Sequence, residues 1–169
     1  INLTFFKKNT FNFINVARLD EQKDQLTLLK TFLLLKKHLN FRLILIGSGK
    51  KEKKLRKFIN ENGLNNQVKI KNNITNPFPY ILKSNIFILS SIYEGLPNVL
   101  LEAITLKKYV ISSDCPTGPK EILDYGKGGS LFKTSDVNDL VKKIKEVIEN
   151  RKQTTKKIKY SYNNLIKFD

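Results

Sequence analysis

Short apolar runs of strand length alternate along this chain with segments whose apolar residues recur every three or four positions. Strands of this kind, apolar on both faces and separated by helices, form a parallel sheet that is covered on both sides. The sequence therefore predicts an α/β fold with helices on both faces of a parallel sheet. The expected strands are Phe11 to Val16, Phe41 to Ile46, Val68 to Lys71, Ile86 to Leu89 and Tyr109 to Ser112. The expected helices are Leu26 to His38, Glu52 to Asn62, Pro77 to Lys83, Pro97 to Leu106 and Asp136 to Asn150, with a helical turn at Pro119 to Leu123 and a tight loop at Gly126 to Gly129.

The length of 169 residues suits one domain with a full core. We expect residues 1–10 to be the end of a linker and residues 11–150 to form the domain. Residues 151–169 are basic, and we expect a helical tail that docks on a surface outside this chain. Because Met is absent and the first residue is Ile1, we also expect an upstream part to be missing.

The chain carries a net charge of +16, which favours anionic partners such as nucleotide phosphates, nucleic acid or an acidic membrane surface. Lys and Asn are abundant throughout, so much of the charge is equally consistent with solvated faces. Cys115 is the only cysteine, which excludes an internal disulfide and favours a reducing compartment. We therefore expect a cytoplasmic protein, with peripheral association at the inner face of a membrane left open.

Ligands of open parallel sheets bind outside the carboxyl ends of the strands. After the first strand, Arg18 and Lys23 are suited to bind one anion, although both are equally consistent with ordinary surface charges. After the second strand, Gly47 and Gly49 permit a tight turn and the close approach of a ligand, or form a plain connection to the next helix.

The loop after Leu89 is the most informative segment. Pro97 suits the first turn of a helix, whose free N–H groups and positive end attract anions. Glu94 lies in the loop and Glu102 lies within the helix, and each carboxylate can accept two hydrogen bonds from a sugar diol. This combination indicates a ligand with phosphate and hydroxyl groups; the alternative is a capped surface helix with two incidental glutamates. The loop from Asp114 to Glu121 contains two prolines and a glycine, which predict a rigid backbone. We interpret Cys115 in this loop as structural.

The run Ser91-x-x-Glu94-Gly-Leu-Pro-x-x-x-Leu-Glu102-Ala resembles the Glu-x7-Glu motif of retaining GT-B glycosyltransferases of family four. The resemblance extends over nearly the whole chain, through Asn15 to Leu19 with Lys23, Leu45 to Gly49, and Ser112 to Ile122. The last segment is similar to the subgroup that builds bacterial surface glycans and lipid-linked oligosaccharides. The chain departs from the family at Ala17, where Gly is usual, and at Lys107 to Tyr109, where Gly and Pro are usual.

The resemblance implies a Rossmann-like fold, the C-terminal half of a GT-B enzyme, and a role for each matching residue. Arg18 and Lys23 would hold the donor diphosphate, Glu94 would contact the donor sugar, and Glu102 would bind the ribose. Residues 71–74 would line the base pocket. The remaining donor-binding positions are expected at Gly47, Gly49, Gly95, Leu96, Pro97, Asn98 and Val99.

The same resemblance implies a nucleotide-sugar donor and no cofactor. UDP is the first candidate for the nucleotide, and GDP is the second. No metal is expected, because Arg18 and Lys23 would take its place. The acceptor, a glycan or a lipid-linked glycan, would bind an N-terminal domain or separate subunit, and this chain alone would be inactive. No nucleic-acid partner is expected. Two alternatives remain open: a basic nucleic-acid- or membrane-surface-binding module, and half of a sugar-nucleotide epimerase, which would need more acid and base residues.

Overall fold

The computed structural model describes residues 3–169, and its centre is a six-stranded sheet in the order β3-β2-β1-β4-β5-β6. Every neighbouring pair of strands is parallel. The strands are β1 (Phe11–Val16), β2 (Phe41–Ile46), β3 (Val68–Lys71), β4 (Ile86–Leu89), β5 (Tyr109–Ser113) and β6 (Ser130–Phe132). The helices are α1 (Gln25–Leu35), α2 (Glu52–Glu61), α3 (Phe78–Lys83), α4 (Asn98–Thr105), α5 (Pro119–Ile122), α6 (Val137–Glu149) and α7 (Arg151–Asn163).

Two hydrophobic layers hold this sheet between the helices. Alternate strand residues point to opposite faces, so Phe13 and Leu43 join one layer while Ile14 and Ile44 join the other. The first layer is completed by α1, α2 and α6, and the second by α3, α4 and α5. The expected fold class, a Rossmann-like parallel sheet with helices on both faces, is confirmed.

The sequence analysis missed one strand, β6. It has only three residues and pairs with β5 at the edge of the sheet. Three residues are too few to show a period, and Ser130 interrupts the apolar pattern. The backbone N–H of Asp114 donates to the Phe132 carbonyl at 2.7 Å, which extends the contact just beyond β5.

The C-terminal tail is helical, and within residues 3–169 it packs on this domain, while docking on a surface outside the chain stays a prediction. Lys157 Nζ donates to the Gly129 carbonyl at 2.9 Å, and the Tyr160 hydroxyl donates to the Asp124 carboxylate. A 3-10 turn over Leu165–Phe168 follows α7, and the side chains of Leu165 and Phe168 in this turn pack on the second layer. Local periodicity did not indicate these contacts, because Leu165 and Phe168 lie in a short turn beyond the end of α7.

The segment before β1 also contacts the domain. Phe6 is buried in the second layer, where Leu3 and Phe5 pack beside it. Residues 1 and 2 of the expected linker lie outside the described residues.

The strand order reverses between β1 and β4, because β2 and β3 lie on one side of β1 while β4, β5 and β6 follow on the other. In open α/β sheets the crevice at the carboxyl ends of the strands on either side of this reversal is where ligands bind. The two loops that border it are residues 17–24 after β1 and residues 90–97 after β4.

Candidate functional site

A half-buried ion pair joins these two loops. Lys23 Nζ lies 2.5 Å from Glu94 Oε1, and the two side chains are 15% and 7% exposed. Ser91 Oγ donates to the same carboxylate oxygen at 2.6 Å. The second oxygen, Oε2, receives no hydrogen bond from residues 3–169. A carboxylate with one oxygen fixed and the other free is oriented by the protein and retains the capacity to accept from a ligand.

Arg18 occupies a different position from Lys23, although both belong to the loop after β1. Its side chain is 71% exposed, and its Nε lies 3.4 Å from Asp20 Oδ2. Its Nη2 donates to Gln22 Oε1 at 3.1 Å, and Gln22 Nε2 donates in turn to the Tyr93 carbonyl at 2.9 Å. The structure therefore brings Lys23 and Glu94 into direct contact and connects Arg18 to the loop after β4 through one side chain.

Close backbone packing explains why glycine stands at both Gly47 and Gly49 after β2. A Cβ on Gly49 would lie 2.8 Å from the carbonyl carbon and 2.9 Å from the nitrogen of Leu19, and a Cβ on Gly47 would lie 2.9 Å from the carbonyl carbon of Ala17. Backbone hydrogen bonds close the same contact, with Leu19 N–H donating to Ser48 O at 2.9 Å and Lys51 N–H to Leu19 O at 2.8 Å. These glycines let two loops pack together, and their contact with a ligand stays a prediction.

Gly95 differs from them. A Cβ added there would meet no atom within 4 Å, and its backbone is not in the left-handed region. Neither packing nor conformation in the described chain requires glycine at this position. The open space beside it lies in the loop that leads into α4.

The start of α4 is not capped by a side chain. Pro97, in an extended conformation before the helix, makes no side-chain cap bond, and α4 begins at Asn98. Leu96 and Asn98 are exposed, Val99 is half-buried and Pro97 is buried. The first N–H groups of a helix have no partner inside it, so this end is available to an anion.

Glu102 lies in the second turn of α4 and is half-buried. Within residues 3–169 its carboxylate has neither an ion pair nor a side-chain hydrogen bond in the structure. No contact joins it to Lys23, Arg18 or Glu94 in this part of the chain, so its participation in a common site rests on its place on α4.

The loop after β5 supports the loop after β4. Ser113 Oγ donates to the Ser91 carbonyl at 2.6 Å, and Thr117 Oγ1 donates to the Glu94 carbonyl at 2.5 Å. Gly118 has a φ of 79°, and a Cβ there would lie 2.7 Å from Pro97 Cδ. These contacts hold Glu94 from both sides, through its carboxylate and through its backbone. Burial raises the pKa of the nearby Cys115 thiol, which fits the interpretation of Cys115 as structural.

Sequence reasoning missed Gln22, Ser91 and Thr117 as partners of the expected site residues. Ser91 had a signal, since it stands three residues before Glu94 within the motif. Gln22 and Thr117 had none, because their roles depend on which loops face each other. In the expected base pocket, Asn72 Nδ2 donates to the Gly47 carbonyl at 2.8 Å and to Glu52 Oε2 at 3.0 Å, so this amide joins loops within the protein.

No group of three or more His, Cys, Asp and Glu side chains in the described ranges is placed to hold a metal ion. None of the helices in this part of the chain is long and apolar enough to cross a membrane.

A parallel sheet with charged loops at its reversal point defines a Rossmann-like ligand-binding domain. Residues 4–164 match the family model described as glycosyl transferases group 1, and the chain belongs to that family. This membership confirms that the chain resembles glycosyltransferases at the level of the family. It favours a glycosyltransferase domain over the epimerase and nucleic-acid alternatives.

Among similar proteins, an uncharacterized glycosyltransferase of Methanocaldococcus jannaschii is 45% identical over 117 residues, which are 69% of this chain and 29% of that protein. An N-acetylgalactosamine-N,N'-diacetylbacillosaminyl-diphospho-undecaprenol 4-alpha-N-acetylgalactosaminyltransferase of Campylobacter jejuni is 28% identical over 82% of this chain and 38% of its own length. The chain thus spans well under half the length of these relatives.

The fold is also found in a solved structure. A point mutant of TarM from S. aureus, in complex with Fondaparinux, alpha-GlcNAc-glycerol and UDP, superimposes with a TM-score of 0.86 at 23% identity. The match covers 94% of this chain and 32% of that one. At this identity the likeness concerns the fold alone.

Proposed function

We propose that this domain binds a nucleotide-sugar donor, UDP-linked, for a retaining transfer of a hexosyl or N-acetylhexosaminyl group to a glycan or lipid-linked acceptor. The observation that carries the proposal is the Lys23–Glu94 pair at the reversal point of the sheet, where a cation and an oriented carboxylate meet beside an uncapped helix. The Glu-x7-Glu motif and the family membership supply the reaction class. UDP is present in the complex of the structural neighbour TarM, and the Campylobacter relative is named for a lipid-linked acceptor.

The chemistry depends on charge. When the bond between sugar and diphosphate breaks, negative charge grows on the leaving diphosphate, and cations fixed beside it stabilise that change. Lys23 Nζ and the guanidinium of Arg18 supply this charge, and the first N–H groups of α4 add their partial charge. Glu94 accepts from a sugar hydroxyl through its free Oε2, and Glu102 accepts from the ribose hydroxyls. Retention of stereochemistry is supported by the family resemblance.

Lys23 reaches the diphosphate only if its bond to Glu94 is shared or exchanged. An ammonium group has three donors, so Nζ can keep Glu94 and bind a phosphate oxygen with another. With two cations beside the diphosphate, the site needs no metal, and we expect UDP to bind equally well with and without EDTA.

The acceptor half is proposed to come from a further domain or from a separate subunit, since the relatives are longer than this chain. We expect the 169-residue chain to bind UDP without transferring sugar. Transfer from a UDP-sugar to an acceptor by this chain alone would contradict that expectation.

The deciding experiment compares thermal stabilisation by UDP and by single-stranded DNA at matched salt. A ligand that binds the folded state raises its stability by mass action, by about 2.7 kcal/mol at a hundredfold excess over Kd. We expect UDP to raise the melting temperature in a manner lost in Glu102→Ala, and DNA to give only a salt-sensitive shift. Stabilisation by DNA alone, unchanged in Glu102→Ala, would favour the basic nucleic-acid module instead.

A further inference from the structure

We infer that Gln22 is a positioning residue for the donor diphosphate: it fixes the guanidinium of Arg18 at the rim of the site and couples it to the loop that carries Glu94. This inference rests on the proposed function and adds a residue that the motif does not contain. Gln22 touches no reacting atom in this role, because it acts through Arg18 and through the backbone of Tyr93.

The first step is the orientation of the Gln22 amide. Its Oε1 accepts from Arg18 Nη2 at 3.1 Å, and its Nε2 donates to the Tyr93 carbonyl at 2.9 Å. An amide has distinct donor and acceptor ends, and reversing it would place Nε2 against the guanidinium and Oε1 against the carbonyl. The two contacts therefore require each other, and the position of Arg18 depends on the loop after β4.

The second step is the backbone of the same residue. The Ile92 N–H donates to the Gln22 carbonyl at 2.7 Å, and Ser90 Oγ donates to the next carbonyl, that of Lys23, at 2.8 Å. Gln22 is thus attached to the loop after β4 through its backbone as well as its side chain. The adjacent Lys23 side chain completes the attachment through Glu94.

The third step concerns the hydrogen-bond donors of Arg18 that remain available to a ligand. Its Nε faces Asp20 at 3.4 Å and its Nη2 faces Gln22, whereas Nη1 has no hydrogen-bond partner among residues 3–169. A long side chain that is 71% exposed loses considerable conformational freedom when it binds a phosphate. Holding it in place beforehand reduces that loss, so the contact with Gln22 favours binding of the diphosphate.

The test is a double-mutant cycle on the 169-residue chain, with affinities for UDP and uridine measured by calorimetry. Gln22→Met keeps the length of the side chain and removes both amide contacts. We expect it to weaken UDP binding about five- to tenfold, to leave uridine within about twofold, and to have less than about a twofold effect on UDP in an Arg18→Ala background.

The matched control is Gln153→Met, which makes the same exchange on the exposed surface at the start of α7 and should leave both affinities unchanged. Equal losses for UDP and uridine, or a Gln22→Met effect that persists undiminished without Arg18, would show a loop-stabilising role only and overturn the inference. In that case UDP binding by the unmodified chain would still support the proposed function. Absence of UDP binding by the unmodified chain would overturn the proposed function together with this role.

Discussion

At the scale of single residues, Lys23 and Arg18 show how one loop presents two cations in different environments. Lys23 is mostly buried and bonded to Glu94, while Arg18 stands at the exposed rim. Removing Lys23 would leave the Glu94 carboxylate, which is 7% exposed, without its cation, and an uncompensated charge in such a place is costly. A loss of folding in a Lys23 variant would therefore report this uncompensated charge rather than a loss of ligand binding.

We predict that Lys23→Ala weakens binding of UDP at least about tenfold while uridine, which lacks phosphate, loses less than about twofold. A hydrogen bond to a charged group contributes about 1.5 to 3 kcal/mol, and only the diphosphate can use the Lys23 donor. Calorimetric titration with both ligands checks this, under conditions where the variant is shown to be folded. Equal losses for the two ligands would contradict a phosphate role for Lys23.

A pair of glycine substitutions separates packing from ligand access. Gly49→Ala places a Cβ under 3 Å from the Leu19 backbone, so we predict a loss of stability of about 1 to 3 kcal/mol. Gly95→Ala meets open space, so we predict a change within about 0.5 kcal/mol in stability together with weaker UDP binding. Chemical denaturation and calorimetry measure the two effects. Normal UDP affinity in Gly95→Ala would show that the ligand does not approach there.

At the scale of elements, α7 and the turn before β6 depend on each other. The hydrogen bond from the Tyr160 hydroxyl lowers the pKa of the Asp124 carboxyl, and the same bond raises the pKa of Tyr160. Asp124 and Tyr125 both have positive φ values, 44° and 54°, so the chain turns tightly where this contact forms. The docking of the tail is thus linked to the protonation of one carboxyl and one phenol.

The sign of the pH dependence follows from these directions. A lowered pKa of Asp124 stabilises the fold above the unfolded value of about 4, and this contribution is lost as the pH falls through the folded value. A raised pKa of Tyr160 stabilises the fold below about pH 10, and its contribution is lost as the pH rises further. We predict that Tyr160→Phe has a lower melting temperature than the unmodified chain near pH 7. The difference between the two melting temperatures should become smaller below about pH 4. A constant difference between the two proteins from about pH 7 to about pH 3 would refute the link.

At the scale of the whole molecule, the cations behind the net charge of +16 lie in two kinds of environment. Some lysines have structural contacts, such as Lys108 Nζ, which donates to the Leu82 and Ser84 carbonyls at 2.7 and 3.0 Å at the C-terminal end of α3. Burial lowers the pKa of the Lys108 ammonium. Other cations are free for a partner: α7 contains no carboxylate, and Lys152, Lys156 and Lys159 on it are exposed.

We propose that this exposed face of α7 associates with anionic lipid surfaces. Lys156→Glu combined with Lys159→Glu should reduce cosedimentation with phosphatidylserine vesicles at low salt without changing UDP affinity. The same exchange of two lysines at Lys53 and Lys57, exposed on α2, is the control. Equal loss in both double variants would show an effect of net charge rather than of this face.

The residue patterns of this chain determined most of its elements and the edge of the sheet that carries the site. Apolar runs such as Phe41–Ile46 are long enough to identify a strand from local periodicity, and a parallel sheet places the loops that follow its strands at one edge. The spacing of Glu94 and Glu102 within one motif is likewise a local property. Local pattern was insufficient for β6, because three residues at an edge carry no period.

Only the tertiary structure decided which side chains meet. The contact of Lys23 with Glu94, the bridge from Arg18 through Gln22 to Tyr93, and the return of α7 onto Asp124 join residues far apart in sequence. Such contacts depend on the strand order, which brings β1 beside β4, and on how far each loop extends from the edge of the sheet. Periodicity reports how a segment folds against an apolar layer, whereas the partner of a polar group is set by distance in space.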